Sequence, residues 1–527
     1  MKKGAFGFGR AFFCGFVLRG LSGLCNFAYA TAILTLTMKK MLALVAAAAT
    51  VAAGWCADGP ALRMLRADGR TDTVSTARYY LIGITEPGAT ALVDGSDCHV
   101  YRTGCFGTEL TLAPGENTAK VAVAKDGATT GRTVKIFYDP DRRRPAENAV
   151  APLVELPGPL AVVSKAGAYL QHGNAADRLG GSKMNFIPEG IEFVAVAAND
   201  RLYRVMLGQN DWAYLPREYA DEAGEAPQAY DRAVTTGSIS VANVGRTDRI
   251  VVALPKRLPY YTRTEIDPST ILITLYGATD NSNWLTQRST PAMIDFVDLR
   301  REGPDKLTLV VRLREEYSWG YTVGYDGTNL TVDVRHRPAS LALSDLTIGL
   351  DAGHGGEYPG ARSPSGLTEK EVNLDIVLKA AEMLRSRGAR VVLTREGDTG
   401  PSMAERKRIW LEGGVDLAVS VHNNSSGNPL VPMGTSAYYK HIANRALAAS
   451  LHRAMLSMGL EDFGLTGNFN FSLNGPTDYP NALVEVLFMS SLPEEELLAD
   501  PDYRTELARH IVEGICDYLR QVEESIQ

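Results

Sequence analysis

Positive charge is in short supply here: Asp and Glu outnumber Lys and Arg by 61 to 54, leaving a net charge of −7 over 527 residues. No basic face is left to neutralise a phosphate backbone, so nucleic acid is not an expected partner. Cysteine is scarce as well. Six in this length are too few for a disulfide-stapled scaffold, and Cys14 and Cys25 fall in a leader-like segment. Cys98 and Cys105 are close enough in sequence to suggest one local bridge.

A chain this long exceeds a single hydrophobic core, since domains run to about 100–200 residues. Residues 1–57 read as a leader. One apolar segment runs from Ala11 to Thr37, broken by Arg19; a second, Met41 to Trp55, is uncharged and follows Met38-Lys39-Lys40. The second has the basic start and short apolar run of an export signal, too short to span a bilayer comfortably. Translation is therefore expected to start at Met38, with cleavage after Ala53 or a lipoprotein-type anchor at Cys56, against which the bulky Trp55 argues. An uncleaved membrane anchor is the alternative. Export to the periplasm or cell envelope follows, with lipoprotein anchoring as a variant.

Residues 63–140 alternate short strands with turns (ARYYLIGI, TALVDG, CHVYRTG, TAKVAVAKDG, RTVKIFY), the pattern of a β-sandwich that resembles an immunoglobulin-like module. Asp139 to Pro159, with its prolines and arginine run, reads as a linker. Residues 160–219 (IEFVAVAA, DRLYRVML, NDWAYLP) resemble an SH3-like module of cell-wall enzymes, in which Trp212 and Tyr214 are core aromatics or groove lining. After a connector from Ala220 to Thr236, residues 237–336 give further strands (SISVANV, DRIVVALP, STILITLYG, KLTLVVRL) that resemble an AMIN-type module. The β modules offer surfaces for the wall polymer and for other envelope proteins.

From 346 to 521 the period changes, because strands alternate with amphipathic helices and predict an α/β domain with a mostly parallel twisted sheet. LTIGLDAG, RVVLTR, DLAVSVH and ALVEVLF are the strands. Thr368 with Glu371, and Ser402 with Glu405, have capping-box spacing. Asn444 to Met458 is a helix, and Asp500-Pro501 opens the last one. His354, His422 and Glu485 fall at or near strand ends, the rim where open α/β sheets keep their sites, and Glu369 falls in the first turn of a helix. Two imidazoles and a carboxylate make a known zinc set with a fourth position left for water. Each residue alone reads equally as a surface or packing group, Glu369 as a helix-start acid.

The ordered motifs DAGHGG, LTEKEVNL, LTREGD, ER, DLAVSVHNN and ALVEVLF across 346–521 resemble the catalytic domain of the zinc-dependent N-acetylmuramoyl-L-alanine amidases. The resemblance implies Zn2+ held by His354, Glu369 and His422, with Glu485 as the catalytic acid–base residue. It implies hydrolysis, by a zinc-activated water, of the amide between the lactyl group of N-acetylmuramic acid and L-alanine in peptidoglycan. Asn424 matches the family; Asn423 stands where alanine is usual, and Leu487 where glycine is usual. Asp351, Arg395 and Arg406 are expected to orient ligands or fix loops. Division-type members insert an inhibitory helix between the second histidine and the late glutamate; residues 423–484 are too few for one beside the expected loop, strand and helix, which predicts a site that is not self-blocked. The alternatives are a non-catalytic wall-binding protein and a zinc peptidase cutting within the stem peptide.

Overall fold

The computed structural model describes residues 59–142, 152–177, 179–226, 233–281 and 284–527. The leader, Met38, Cys56 and residues 143–151 of the proline-rich linker lie outside the described residues, and no described helix is long and apolar enough to cross a membrane.

Alternating burial builds the first unit. Arg78–Ile84, with the pattern exposed, buried, half-buried, buried, pairs with Cys105–Thr111 in a three-stranded sheet, and Gly115–Lys125 and Ala128–Tyr138 centre a five-stranded one. The two enclose a separate core that includes Leu81, Phe106, Val121 and Ile136. Cys98 and Cys105 are free thiols here, not a bridge. Cys105 is buried, with Glu495 near enough to help raise its thiol to about 12, after burial itself, the larger cause.

The next unit is one seven-stranded antiparallel sheet. It reaches beyond 160–219 on both sides. Val154–Ser164 is a strand although it contains Pro157 and Pro159, because its partner register skips from Glu155 to Leu160 and the prolines sit in the resulting bulge, where no ladder hydrogen bond is required. Ala220–Glu225, read as connector, pairs with the same strand. Trp212 is 46% exposed, with the Arg204 guanidinium over its ring. The third unit packs a five-stranded sheet against a four-stranded one; Ser269–Tyr276 is buried along its whole length.

Numbering from residue 347, the C-terminal domain comprises β1 (Thr347–Ala352), α1 (Glu369–Ser386), β2 (Arg390–Leu393), α2 (Met403–Gly413), β3 (Leu417–Asn424), β4 (Thr435–Tyr438), α3 (Arg445–Leu456), β5 (Asp462–Thr466), β6 (Asn481–Phe488), α4 (Leu492–Ala499) and α5 (Pro501–Ile526). The sheet order is β2-β1-β3-β6-β4-β5, with every pairing parallel except β4 against β6. Strand alternation sends Ile348, Leu350, Val419 and Val421 into the main core with α1, α3 and α5, while Ala418 faces Trp410 of α2 on the other side. The α1 stripe Val372, Ile376, Val377, Ala380, Ala381 and Leu384 is buried as its spacing predicts.

Three local expectations change. Ser402 and Glu405 form the reciprocal capping box, but Thr368 does not: its hydroxyl donates to the Glu371 carboxylate instead of accepting from the backbone. β5 and α4 are additional elements. One apolar cluster runs from Val162 to Val522, so the second and third units pack onto the C-terminal domain. Trp319 is fully buried beside Tyr518 of α5, and Arg335 binds Asp416 at 2.6 Å.

Candidate active site

β1 ends at Ala352, and the chain then turns so tightly that His354 takes a left-handed backbone (φ 62°). That conformation costs a non-glycine residue about 1–2 kcal/mol, and two buried guanidiniums offset it. Arg406 donates to the carbonyls of Ala352 (2.9 Å) and His354 (2.7 Å). Arg395 donates to those of Ala352 (2.8 Å) and Gly353 (3.0 Å). Arg406 is anchored in turn on Asp351 at 2.5 Å, whose carboxylate also accepts from Thr394 (2.5 Å) and Ser420 (2.6 Å). Burial works against the Asp351 charge, yet Arg406, His422 and the two hydroxyls keep its carboxyl below the usual range.

His422 lies in the last turn-ward residues of β3, directly beside Glu485 on β6. Both are inside strands rather than past their ends. Glu369 is the first residue of α1 and stands between the two imidazoles, 3.1 Å from His354 Nε2 and 3.0 Å from His422 Nδ1. The two rings are 5.0 Å apart, nearly perpendicular. Burial disfavours the Glu369 anion, but the two histidine hydrogen bonds outweigh it and hold the carboxyl far below its ordinary range. For His422, burial pushes the pKa down; Glu369 foremost, then Glu485 and Asp351, raise it to about 9.

The ligand atoms of His354, Glu369 and His422 all lie within 4.8 Å of one another. Two imidazoles and a carboxylate gathered this tightly fit one divalent ion of borderline softness. Two glycines make room. A Cβ on Gly353 would come within 2.3–2.6 Å of the His422 ring, and one on Gly360 within 2.4 Å of Glu369 Oε2. The site opens into a cleft of about 520 Å³ that Glu485, 8% exposed, also lines.

The departures at 423 and 487 find different places. Asn423 donates through its amide to Asn373 Oδ1 (2.8 Å), and Asn373 donates to Gly353 O (3.2 Å) and Glu369 Oε1 (3.3 Å). The backbone N–H of Asn423 donates directly to Glu369 Oε1 (3.2 Å), as an alanine there would, and its side chain adds support at one remove through Asn373, which alanine could not. Leu487 is wholly buried in the core and is not a cleft residue. Asn373 escaped the sequence reading; its signal was a polar residue four after Glu369 on the buried face of α1. Equally unforeseen, Leu179, just before the strand Gly180–Phe186 of the seven-stranded sheet, and Lys183 within it line the cleft together with Asn470, Phe471 and Leu473 of the C-terminal domain. No residue of α3 lines it.

The family model for N-acetylmuramoyl-L-alanine amidase matches residues 348–517. The probable cell wall amidase LytH of Staphylococcus aureus is 30% identical over 203 residues, 38% of this chain and 67% of that protein. The germination-specific N-acetylmuramoyl-L-alanine amidase of Bacillus subtilis is 29% identical over 201 residues, 35% of this chain and 84% of that protein. Among solved structures, the catalytic domain of the amidase CwlV from Bacillus (Paenibacillus) polymyxa var. colistinus is 34% identical, with a TM-score of 0.32, covering 33% of this chain and 98% of that one.

Proposed function

Through residues 348–517 the chain belongs to the N-acetylmuramoyl-L-alanine amidase family, and from that premise we propose an exported zinc amidase in which His354, Glu369 and His422 hold the ion and Glu485 moves the proton. Its reaction is hydrolysis of the amide joining the lactyl group of N-acetylmuramic acid to L-alanine in peptidoglycan. The observation that carries the assignment of roles is the convergence of the three donors within 4.8 Å, with Glu485 paired beside His422 at the cleft floor.

When bound, zinc would supply Lewis acidity, lowering the pKa of water toward about 7 and polarising the scissile carbonyl. The remaining work falls to the chain. Glu485 takes the proton from the attacking water and delivers it to the departing L-alanine nitrogen, a role that contributes about 10²- to 10⁴-fold. Asn373 and Asn423 fix the Glu369 carboxylate, and Arg395 and Arg406 hold the backbone that presents His354. The low exposure of Glu369 and Glu485 keeps bulk water from competing with the acting one.

The units over 63–140, 160–219 and 237–336 serve in this reading as immunoglobulin-like, SH3-like and AMIN-like modules that keep the enzyme at the wall of a periplasm or envelope. Their strand-rich sheets, and relatives whose names place them in the cell wall, support that reading. The stretch between His422 and Glu485 contributes to the cleft one short 3-10 turn, Ser472–Asn474, and no residue of α3, which supports a site that is not self-blocked. Digestion of purified peptidoglycan by the full chain, with and without a chelator, tests the proposal. New N-terminal L-alanine that vanishes on chelation and returns with zinc is the expected result; chelator-resistant release, or new amines within the stem peptide, would overturn it.

A further inference from the structure

The Glu369 carboxylate is held from two sides. Asn373 and the Asn423 N–H act on Oε1, while Oε2 accepts from the Ala361 N–H at 2.8 Å. Ala361 opens a tight loop whose other end runs into Glu369. The Glu369 N–H returns to Ala361 O (2.9 Å), Arg362 bridges Thr368 in antiparallel sense, and the Ser363 N–H donates to Leu367 O (2.9 Å). The loop 361–368 as a whole therefore sets where one N–H meets the carboxylate.

The tip of that loop is tethered away from the cleft lining. The Ser365 N–H donates to Glu495 Oε1 at 2.6 Å, and Glu495, on α4, has no exposed surface. A buried carboxylate is costly unless donors reach it, and a short charge-assisted bond to a backbone N–H is one of the stronger ones. The first unit covers this group. Burial foremost, then the Glu495 carboxylate, raises the Cys105 thiol, which places the strand Cys105–Thr111 beside it. Two residues along, a Cβ on Gly107 would stand 2.9 Å from Leu430 Cδ2 and 3.2 Å from Leu492 Cδ1, so the strand lies directly on the start of α4 and on the loop after β3. Just before the strand, Arg102 donates its N–H to Glu496 Oε1 (2.5 Å), and its guanidinium lies 3.4 Å from Glu496 and 3.6 Å from Asp500. These contacts join the first unit to α4 while its apolar core stays separate.

We propose that Glu495 is a positioning residue for the metal site and that the first unit, residues 63–140, is its cover. The unit keeps the Glu495 carboxylate dry and aimed at Ser365, and so stiffens the loop that presents the Ala361 N–H to Glu369. No residue of the first unit lines the cleft, so its influence on the site passes through α4 and this loop. The inference rests on the reading of His354, Glu369 and His422 as metal ligands and deepens it by giving the first unit a part in holding one of them. Groups that orient a ligand in this way set metal affinity by about 10- to 100-fold.

The test titrates the full chain with zinc by calorimetry after chelator treatment, and follows amide hydrogen exchange across 361–368. Glu495→Leu fills the volume but accepts nothing; it should weaken zinc binding about tenfold and speed exchange of the Ser365 amide. Glu495→Gln keeps an oxygen for the Ser365 N–H and should stay within about twofold of wild type. Arg102→Glu, at an exposed position of the first unit, sets a like charge against Glu496 and Asp500. It should shift zinc affinity and Ser365 exchange in the same direction as Glu495→Leu, and it carries the test should Glu495→Leu fail to fold. Unchanged zinc binding and exchange in Glu495→Leu, or equal weakening by Gln and Leu, overturns the positioning role. No response to Arg102→Glu overturns the part given to the first unit. Wild type that binds no zinc instead overturns the metal reading, and this inference with it.

Discussion

Arg406→Met removes a guanidinium that is 2% exposed and leaves its volume largely filled. Four hydrogen bonds disappear: to Asp351 Oδ1 (2.5 Å) and to the carbonyls of Ala352 (2.9 Å), His354 (2.7 Å) and Pro401 (3.0 Å). Asp351, with no exposed surface, keeps the hydroxyls of Thr394 and Ser420 but loses its countercharge. Breaking one side of a buried pair costs about 3–5 kcal/mol because the other charge is stranded. At about 2–4 °C per kcal/mol for a domain of this size, the transition that includes residues 347–527 should fall by roughly 10 °C. Calorimetry and urea unfolding measure it. Adding Asp351→Asn should recover part of the loss, since the stranded charge is gone, with a coupling above about 1 kcal/mol. The His354 carbonyl of the strained turn is also released, while that of Ala352 keeps only its bond from Arg395, so zinc affinity should weaken about 10- to 100-fold. A loss below about 1 kcal/mol, or strictly additive effects in the double variant, would refute the idea that this pair holds the turn.

Gly353→Ala would press a methyl into the His422 ring; zinc binding followed by titration calorimetry should weaken at least about tenfold, and unchanged binding would show that the ring has room to move. Glu485→Gln should lower kcat by about 10²-fold or more with zinc content unchanged by elemental analysis; retained turnover would remove Glu485 from the chemistry. His441 predicts a pH effect. Burial foremost, then Lys440, lowers it from 6.5 to about 4 against a bond to Gly475 O at 3.0 Å. As pH falls through 6.5 the unfolded chain takes up this proton first, so stability declines between pH 6.5 and 4, by up to about 3 kcal/mol at 1.36 kcal/mol per pH unit. His441→Gln should flatten that decline in urea melts; an unaltered slope would contradict the assignment.

What the sequence alone determined is local and periodic. The alternation of apolar residues at two and at three to four dictates which segments are strands and which are helices, and the stripe on α1 and the capping box at Ser402 follow from contacts a few residues apart. The motif order also singled out His354, Glu369, His422 and Glu485 as the proposed set, of which the fold brings the donor atoms of the first three within 4.8 Å of one another. Tertiary structure decided the rest, because it depends on residues far apart in the chain. Whether Thr368 caps its helix turned on a competing carboxylate one helical turn away. Cys98 and Cys105, neighbours in sequence, are separate thiols. Asn423 became intelligible only beside Asn373. Above all, the folded chain laid Gly180–Phe186 against Asn470, nearly three hundred residues downstream, and no periodicity in either segment encodes that meeting. A pattern of burial says that a face is covered; only the packed whole says by what.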